Sequence, residues 1–399
     1  MRFLLYFKIH STKYDTFRQI FLHKKYNIYM HKLLLLCIKY VIIICRKTGE
    51  HMKKFDYSFL ENGLLPASFV NLSAGISSLK TRASIRKEEY SKVFTELEAV
   101  AKIQSVKSSN EIEGIVTSDE RIWAIVNQES KPLNHTEGEI AGYRDALNLI
   151  HLHHDKLDFR QSDILKLHET IMKFTDYEYG GKYKASDNYI IEQDKDGNRR
   201  IRFKPTPASE VDHAMEQLEL AYLEASSNAN INKLLLIPCV ILDFLCIHPF
   251  RDGNGRMSRL LTLLLLYKND YDVGKYASFE EQINNYKAFY YEALRESSIG
   301  WHENKNTYTP FIDNFLSTLY MCYKELDKRF AIIHGKKINK TTRIEATILN
   351  SLVPISKKEI CAILPDVSPT TIEQVLTKMV KEGQIKKIGT GRLTRYIKI

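Results

Sequence analysis

The stretch HPFRDGNGRMSR, residues 248–259, gathers a histidine, an aspartate, three arginines and two glycines. His248 is the side-chain type best suited to take a proton from a hydroxyl near neutral pH. The helix-favouring run after Gly255 puts a helix N-terminus near Gly253 and Asn254, where backbone N–H groups lack partners and attract an anion. Gly253 and Gly255 let that backbone approach a phosphate closely and take positive φ. Arg256 and Arg259 stand three apart, so their guanidinium forks are expected to aim the same way from one helix. Asp252 beside such an anion nest is best explained as holding a hard cation, Mg²⁺, that bridges phosphate oxygens. Phe250, after Pro249, is expected to turn into the core and fix the loop. Together these residues read as a nucleotide site with a general base.

The elements around it must hold that loop still. LLLIPCVILDFLCI (234–247) and LLTLLLLY (260–267) flank it and read as buried helices. A turn whose charges are merely solvated is the bland alternative, and these two apolar runs argue against it. Helical spacing of apolar residues recurs over 95–109, 139–154, 162–174, 208–226, 279–297 and 310–333. YIIEQ (189–193) and RRIRF (199–203), joined by DKDGN, read as a hairpin whose Asp-Gly suits the turn. After a Lys- and Asn-rich linker (334–342), the C-terminal stretch reads as three helices and a strand–turn–strand, with Ser356 and Ser368 as N-caps. That is a winged helix-turn-helix pattern.

Composition bounds the rest. At 399 residues and 44% hydrophobic, the chain can bury a sizeable core and is expected to hold two domains. Its six cysteines are scattered without ligand spacing, which fits reduced core thiols in a cytoplasmic protein. The net charge of +10 is unevenly placed. Residues 1–51 carry ten Lys/Arg against Asp15 and Glu50, leaving 48 basic and 46 acidic side chains elsewhere. The apolar run 33–45 in that segment is broken by Lys39 and falls short of the about 20 residues a spanning helix needs. Residues 1–51 are therefore expected to be a non-native extension ahead of a true start at Met52, with a weak membrane-surface anchor as the alternative. No membrane association is expected of the body.

Other chemistry-bearing residues read as structural. His168-Glu169 lacks the second histidine of a zinc helix motif because position 172 is Met. His151, His153 and His154 are expected to be a solvated helix end, where histidine favours the dipole. The pair Tyr290-Tyr291 reads as core or pocket lining.

The 248–259 stretch resembles the Fic domain signature, HxFx(D/E)GNGRxxR, at every fixed position. The resemblance implies a mainly α, Fic-type helical domain with a β-hairpin flap, plus the C-terminal winged helix-turn-helix domain. It divides the chain into the extension 1–51, an N-terminal helical region 52–135, a Fic core 136–333 and a winged helix 340–399. It also implies transfer of AMP from MgATP to a Ser, Thr or Tyr hydroxyl of a protein target, with release of pyrophosphate. By match, His248 would be the base and Asp252 the Mg²⁺ ligand. Asn254 with the loop amides of Gly253 and Gly255 would cradle the α-phosphate, and Arg256 and Arg259 would clamp the β and γ phosphates. The hairpin would be a flap that aligns the target by strand addition.

A second stretch, SNEIEG (109–114), matches the family's inhibitory motif (S/T)xxxE(G/N) through Ser109, Glu113 and Gly114. Glu113 would pair with Arg259, misplace ATP and hold activity low. An ordinary helix end capped by Gly114 is the structural alternative. Two positions depart from the family. Tyr286, beside Asn285, stands where an asparagine near the adenine is common and is assigned to the nucleotide side; Lys184 stands for a common arginine. Self-modification and a homodimer stay open. Two other functions compete: removal of AMP on the same fold, and DNA-binding regulation through residues 340–399, which hold eleven Lys/Arg against five Asp/Glu.

Overall fold

A computed structural model of the protein describes residues 53–399, apart from 64, 194–198, 335–339, 350, 352–353, 365–366 and 392–393. The extension 1–51, Met52, the hairpin tip and the centre of the linker lie outside the described residues. Phe55–Ile399 forms one compact unit, separate from Met1–Lys54.

It is mainly α, as the apolar spacing requires. In chain order the helices are α1 (Phe59–Asn62), α2 (Ala67–Glu89), α3 (Ser91–Ile112), α4 (Asp119–Val126), α5 (His135–His153) and α6 (Gln161–Met172). The hairpin β1 (Ile190–Gln193) and β2 (Arg199–Phe203) follows, and then α7 (Val211–Ser227), α8 (Lys233–Ile247) and α9 (Asn254–Lys268). The last helices of this region are α10 (Phe279–Asn285), α11 (Lys287–Ser298) and α12 (Thr309–His334).

Helices α8 and α9 form the centre. Every residue from Leu234 to Ile247 is buried, and in α9 so is every residue but Gly255 and Lys268. A helix apolar all round can only sit inside others. Helix α5 lies against α9 and α6, α3 against α5 and α10, and α12 against α2 and α11. Several starts are fixed by side chains that accept an orphan backbone N–H: Asn232 from Leu234, Asn134 from Glu137, Ser118 from Arg121 and Ser278 from Glu281.

Two expectations of helical structure need correction. Residues 279–297 are two helices, not one, parted at Tyr286 (φ −119°, ψ 32°). Its N–H closes α10 on the Gln282 and Ile283 carbonyls, and its carbonyl accepts from Phe289 and Tyr290 to open α11. The neighbouring Lys287 donates to the Ile112 carbonyl at 2.7 Å, so the break is tied to the end of α3. The expected solvated helix end at 151–154 is also incomplete: His151 is buried against Tyr267, and burial pushes its pKa down to about 3.

In the hairpin, Gln193 pairs with Arg199 and Ile191 with Ile201, with a register shift between Ile190 and Ile191. The C-terminal part has its own apolar cluster, including Ile344, Ile360, Ile372, Leu376 and Met379. There α13 (Lys340–Leu349), β3 (Ile355–Ser356), α14 (Lys357–Ile363), α15 (Pro369–Lys381), β4 (Ile385–Ile388) and β5 (Arg395–Lys398) follow in order. Its sheet is antiparallel in the order β3-β5-β4, one strand more than the sequence suggested. Among the described residues no helix is long and apolar enough to cross a membrane.

Candidate active site

The loop between α8 and α9 is built from backbone conformations few residues tolerate. His248 ends α8 in the left-handed region (φ 52°), held by its N–H to the Phe244 carbonyl at 2.9 Å. Gly253 opens α9 at φ 80°, where a side chain would be strained and would meet Met172. Phe250 is fully buried, as expected. The Asn254 side chain accepts from Phe250 N–H at 2.9 Å and donates to the Phe250 carbonyl at 2.8 Å. It therefore braces the loop, and what it can offer an anion is its backbone N–H at the start of α9.

Two further residues hold the loop from outside. Lys184 is buried; its backbone N–H donates to the Pro249 carbonyl at 2.9 Å and its ammonium to Asn188 at 2.7 Å. Burial pushes the Lys184 ammonium down to about 8. His168, fully buried on α6, stacks its ring on Phe250 and reaches the Asp252 carbonyl. Burial pushes its pKa down to about 4. Neither role is announced by the sequence around Lys184 or His168. The His168-Glu169 pair was legible only as an incomplete metal motif, and among the described residues no group of three or more His, Cys, Asp or Glu could hold a metal ion.

His248 faces a cleft of about 210 Å³ whose other walls include Ile190 and Phe203 of the hairpin and Tyr290 and Tyr291 of α11. Burial first, and then the charge of Lys184, push its imidazole down to about 4. It is a neutral ring at pH 7 and can accept a proton.

The two arginines of the loop diverge, against the expectation that they aim together. Arg256 is buried and lies 2.7 Å from Glu139 on α5, at an angle that is not that of a hydrogen bond, and 3.3 Å from Asp252. Arg259, equally buried, turns to α3. Its Nε donates to Ser109 Oγ at 2.8 Å, and one Nη donates both to the Ser109 carbonyl at 2.9 Å and to Glu113 at 2.7 Å. Burial opposes the negative charge of Glu113, but Arg259 outweighs it and holds the carboxyl below the usual carboxylate range.

Glu113 reaches there because of how α3 ends. Gly114 takes φ 79°, and Ile115 N–H folds back to the Asn110 carbonyl at 3.0 Å, a glycine-capped helix end. The capped end and the ion pair thus coexist, and the cap delivers the carboxylate. It lies so close over Gly255 that any side chain at that position would overlap it. The protein's own carboxylate thus lies against Gly255 at the start of α9, paired with Arg259. Ser105 and Ser109 of α3 are seated in a buried polar network: Ser105 donates to Ser278, and Ser278 and Tyr143 both donate to Glu280.

Residues 158–266, from the approach to α6 to the end of α9, match the model of the Fic/DOC family. They form a Fic domain. No curated protein matches the chain in sequence. Among solved structures, a Fic family protein from Desulfovibrio desulfuricans G20 superposes with TM-score 0.55 at 20% identity, covering 84% of this chain and 97% of that one. A Fic domain containing signaling protein from Bacteroides thetaiotaomicron gives 0.53 at 19% identity, covering 66% and 97%. These likenesses show a shared fold.

Around this Fic domain, most of the residues singled out by sequence come together: His248, Asp252, Gly253, Asn254, Gly255 and Arg256 on one loop and helix start, with Arg259, Ser109, Glu113 and Gly114 behind it. Tyr286 does not join them. It sits half-exposed at the α10–α11 break and does not line the cleft, which Tyr290 and Tyr291 do. Arg202, projecting from β2 into the cleft, was missed because nothing in the hairpin's alternation marks it as a site residue.

Asp252 suits a hard cation: its carboxylate is half exposed, and Arg256 reaches one of its oxygens only at 3.3 Å. One carboxylate is what Mg²⁺ needs when substrate phosphates supply its other oxygen ligands.

Proposed function

We propose that the chain is an autoinhibited protein adenylyltransferase. It moves AMP from MgATP to a Ser, Thr or Tyr hydroxyl of a protein, itself included, and releases pyrophosphate. Fic proteins modify protein targets. The observation that carries the finer reading is the Glu113 carboxylate paired with Arg259 over Gly255, in the cleft that His248 lines.

In this reaction the target oxygen attacks the α-phosphorus, its proton passes to His248, and the bond to pyrophosphate breaks. The backbone N–H groups opening α9 are aimed at the α-phosphate, where negative charge grows. Mg²⁺, held through Asp252, would neutralise charge on the phosphate oxygens. Arg259 can grip the terminal phosphate only by exchanging Glu113 for it. Arg256, buried against Glu139 and Asp252, serves from further back, as a fixed positive charge behind the loop. The hairpin, whose Ile191 and Ile201 are exposed, offers the target a strand edge. Labelled ATP supplied to the wild type and to Glu113→Gly in a cell lysate tests this reading. Label on protein only with the variant supports it; none with either removes it.

A second reading rests on the same glutamate. Ionised and open to the cleft, Glu113 can orient a water, which favours removal of AMP. Loss of AMP mass from a modified target, dependent on Glu113, would replace the forward assignment.

We read the C-terminal part as a winged helix that binds DNA. Thr370, Gln374 and Thr377 on α15 form an exposed polar face, and Lys386 and Lys387 are exposed on β4, a strand that packs against α15. That is the composition of a groove-reading helix with phosphate contacts from a wing.

A further inference from the structure

Two tethers meet on one imidazole beneath the site. His168 Nδ1 accepts the Gly181 N–H at 3.1 Å, and Gly181 lies in the segment leading to the hairpin. Because Nδ1 accepts, Nε2 carries the ring proton and donates it to the Asp252 carbonyl, 3.1 Å away. The ring lies flat on Phe250, centroids 3.7 Å apart and planes within 8°. The residue is completely buried, so no water can replace either bond. Gly253, next in the loop, is packed against this ring and Met172.

We propose that His168 is a positioning residue that joins the approach to the hairpin to the Asp252 backbone, and so sets the direction in which the Asp252 carboxylate meets a phosphate-bound cation. This deepens the transferase reading and rests on it. The imidazole touches neither nucleotide nor target. It acts by holding the carbonyl of Asp252 while the carboxylate of the same residue points outward, half exposed. Its two nitrogens tie the segment leading to the hairpin and the loop to one ring, so a shift of that segment is felt at the cation ligand.

The test separates the two bonds. In a Glu113→Gly background, His168→Gln keeps an N–H near the Nε2 position, and His168→Asn keeps an acceptor near Nδ1. His168→Asn should raise the Mg²⁺ concentration for half-maximal ATP binding and half-maximal transfer by about 10–100-fold, the usual scale for residues that orient metal ligands. His168→Gln should restore it to near the parent value. Independently of activity, the ¹⁵N–¹H spectrum of the nucleotide-free protein should show His168 as the Nε2–H tautomer. An Nδ1–H tautomer overturns the proposal. So does a Mg²⁺ requirement of ATP binding that is the same in both variants and the parent, or equal loss in both variants accompanied by equal loss of thermal stability. If the parent transfers no AMP, the transferase reading falls, and the Mg²⁺ dependence of ATP binding still decides the role of His168.

Discussion

Glu113 and Arg259 meet at 2.7 Å, but the pair is lopsided: the arginine side chain is 2% exposed and the glutamate 32%. The guanidinium is fixed, held by Ser109 through side chain and backbone as well. The carboxylate faces the cleft and is the partner that can leave. In the proposed reaction, a buried cation with a displaceable anion is where a phosphate and this glutamate would compete.

This competition makes three variants informative together. Glu113→Gly should raise AMP incorporation by about 5–150-fold, the range of common regulatory couplings. Arg259→Ala should be inactive, since the clamp itself is gone. The double variant should resemble Arg259→Ala, because freeing an absent clamp gains nothing. Incorporated AMP per protein and ATP affinity measure all three. An unchanged Glu113→Gly would leave SNEIEG as a capped helix end alone.

Replacing His248 by Ala should lower transfer by about 10²–10⁴-fold. ATP affinity should hold, since in the proposed reaction the imidazole acts on the target hydroxyl. Single-turnover transfer beside equilibrium ATP binding separates the two effects. Transfer at the parental rate would remove His248 from the mechanism.

The acid limb of the pH profile follows from the depressed His248 pKa. Burial, and then Lys184, hold it near 4, while the Leu245 backbone, Glu113 and Asp252 pull the other way. The base form is therefore present above about 4 and lost below it, so transfer by Glu113→Gly, in which the remaining carboxylate is Asp252, should fall only well below the ordinary 6.5. Lys184→Met, which removes the positive neighbour, should move the fall upward. A limb at 6.5 in both proteins would contradict this. In stability terms the folded state takes up its proton later than the unfolded chain, so this group adds stability as pH rises from about 4 to 6.5.

Glu139→Ala strands the Arg256 guanidinium in the core beside a carboxylate it reaches only at 3.3 Å. Breaking one side of a buried pair costs about 3–5 kcal/mol. Denaturant unfolding should show a loss of this order, and Glu139→Gln should lose less.

Duplex DNA should bind with an affinity that falls with salt. Lys386→Ala with Lys387→Ala should weaken it across sequences and reduce the salt slope by about one per lost phosphate contact. Fluorescence anisotropy at several salt concentrations reads this. No binding at low salt would leave α15 for a protein partner.

The sequence alone determined what is local. The flanking runs at 234–247 and 260–267 had to be buried, the glycines at 253 and 255 had to open a helix, and Phe250 had to turn inward, because each follows from residue type and spacing within a few positions. The likeness of HPFRDGNGRMSR to a known signature is local in the same sense.

What only the tertiary structure decided is which side chains answer one another. Spacing of three put Arg256 and Arg259 on one helix, yet 60° of rotation about its axis and two different neighbours, α5 and α3, sent them apart. Tyr286 fell at a break because Lys287 ties it to the end of α3, a contact 175 residues away. His168 looked like half a zinc motif until folding brought Asp252, 84 residues on, to its Nε2. Hydrogen bonds and ion pairs between distant segments depend on where helices pack, and a single sequence records the helices far more plainly than their packing.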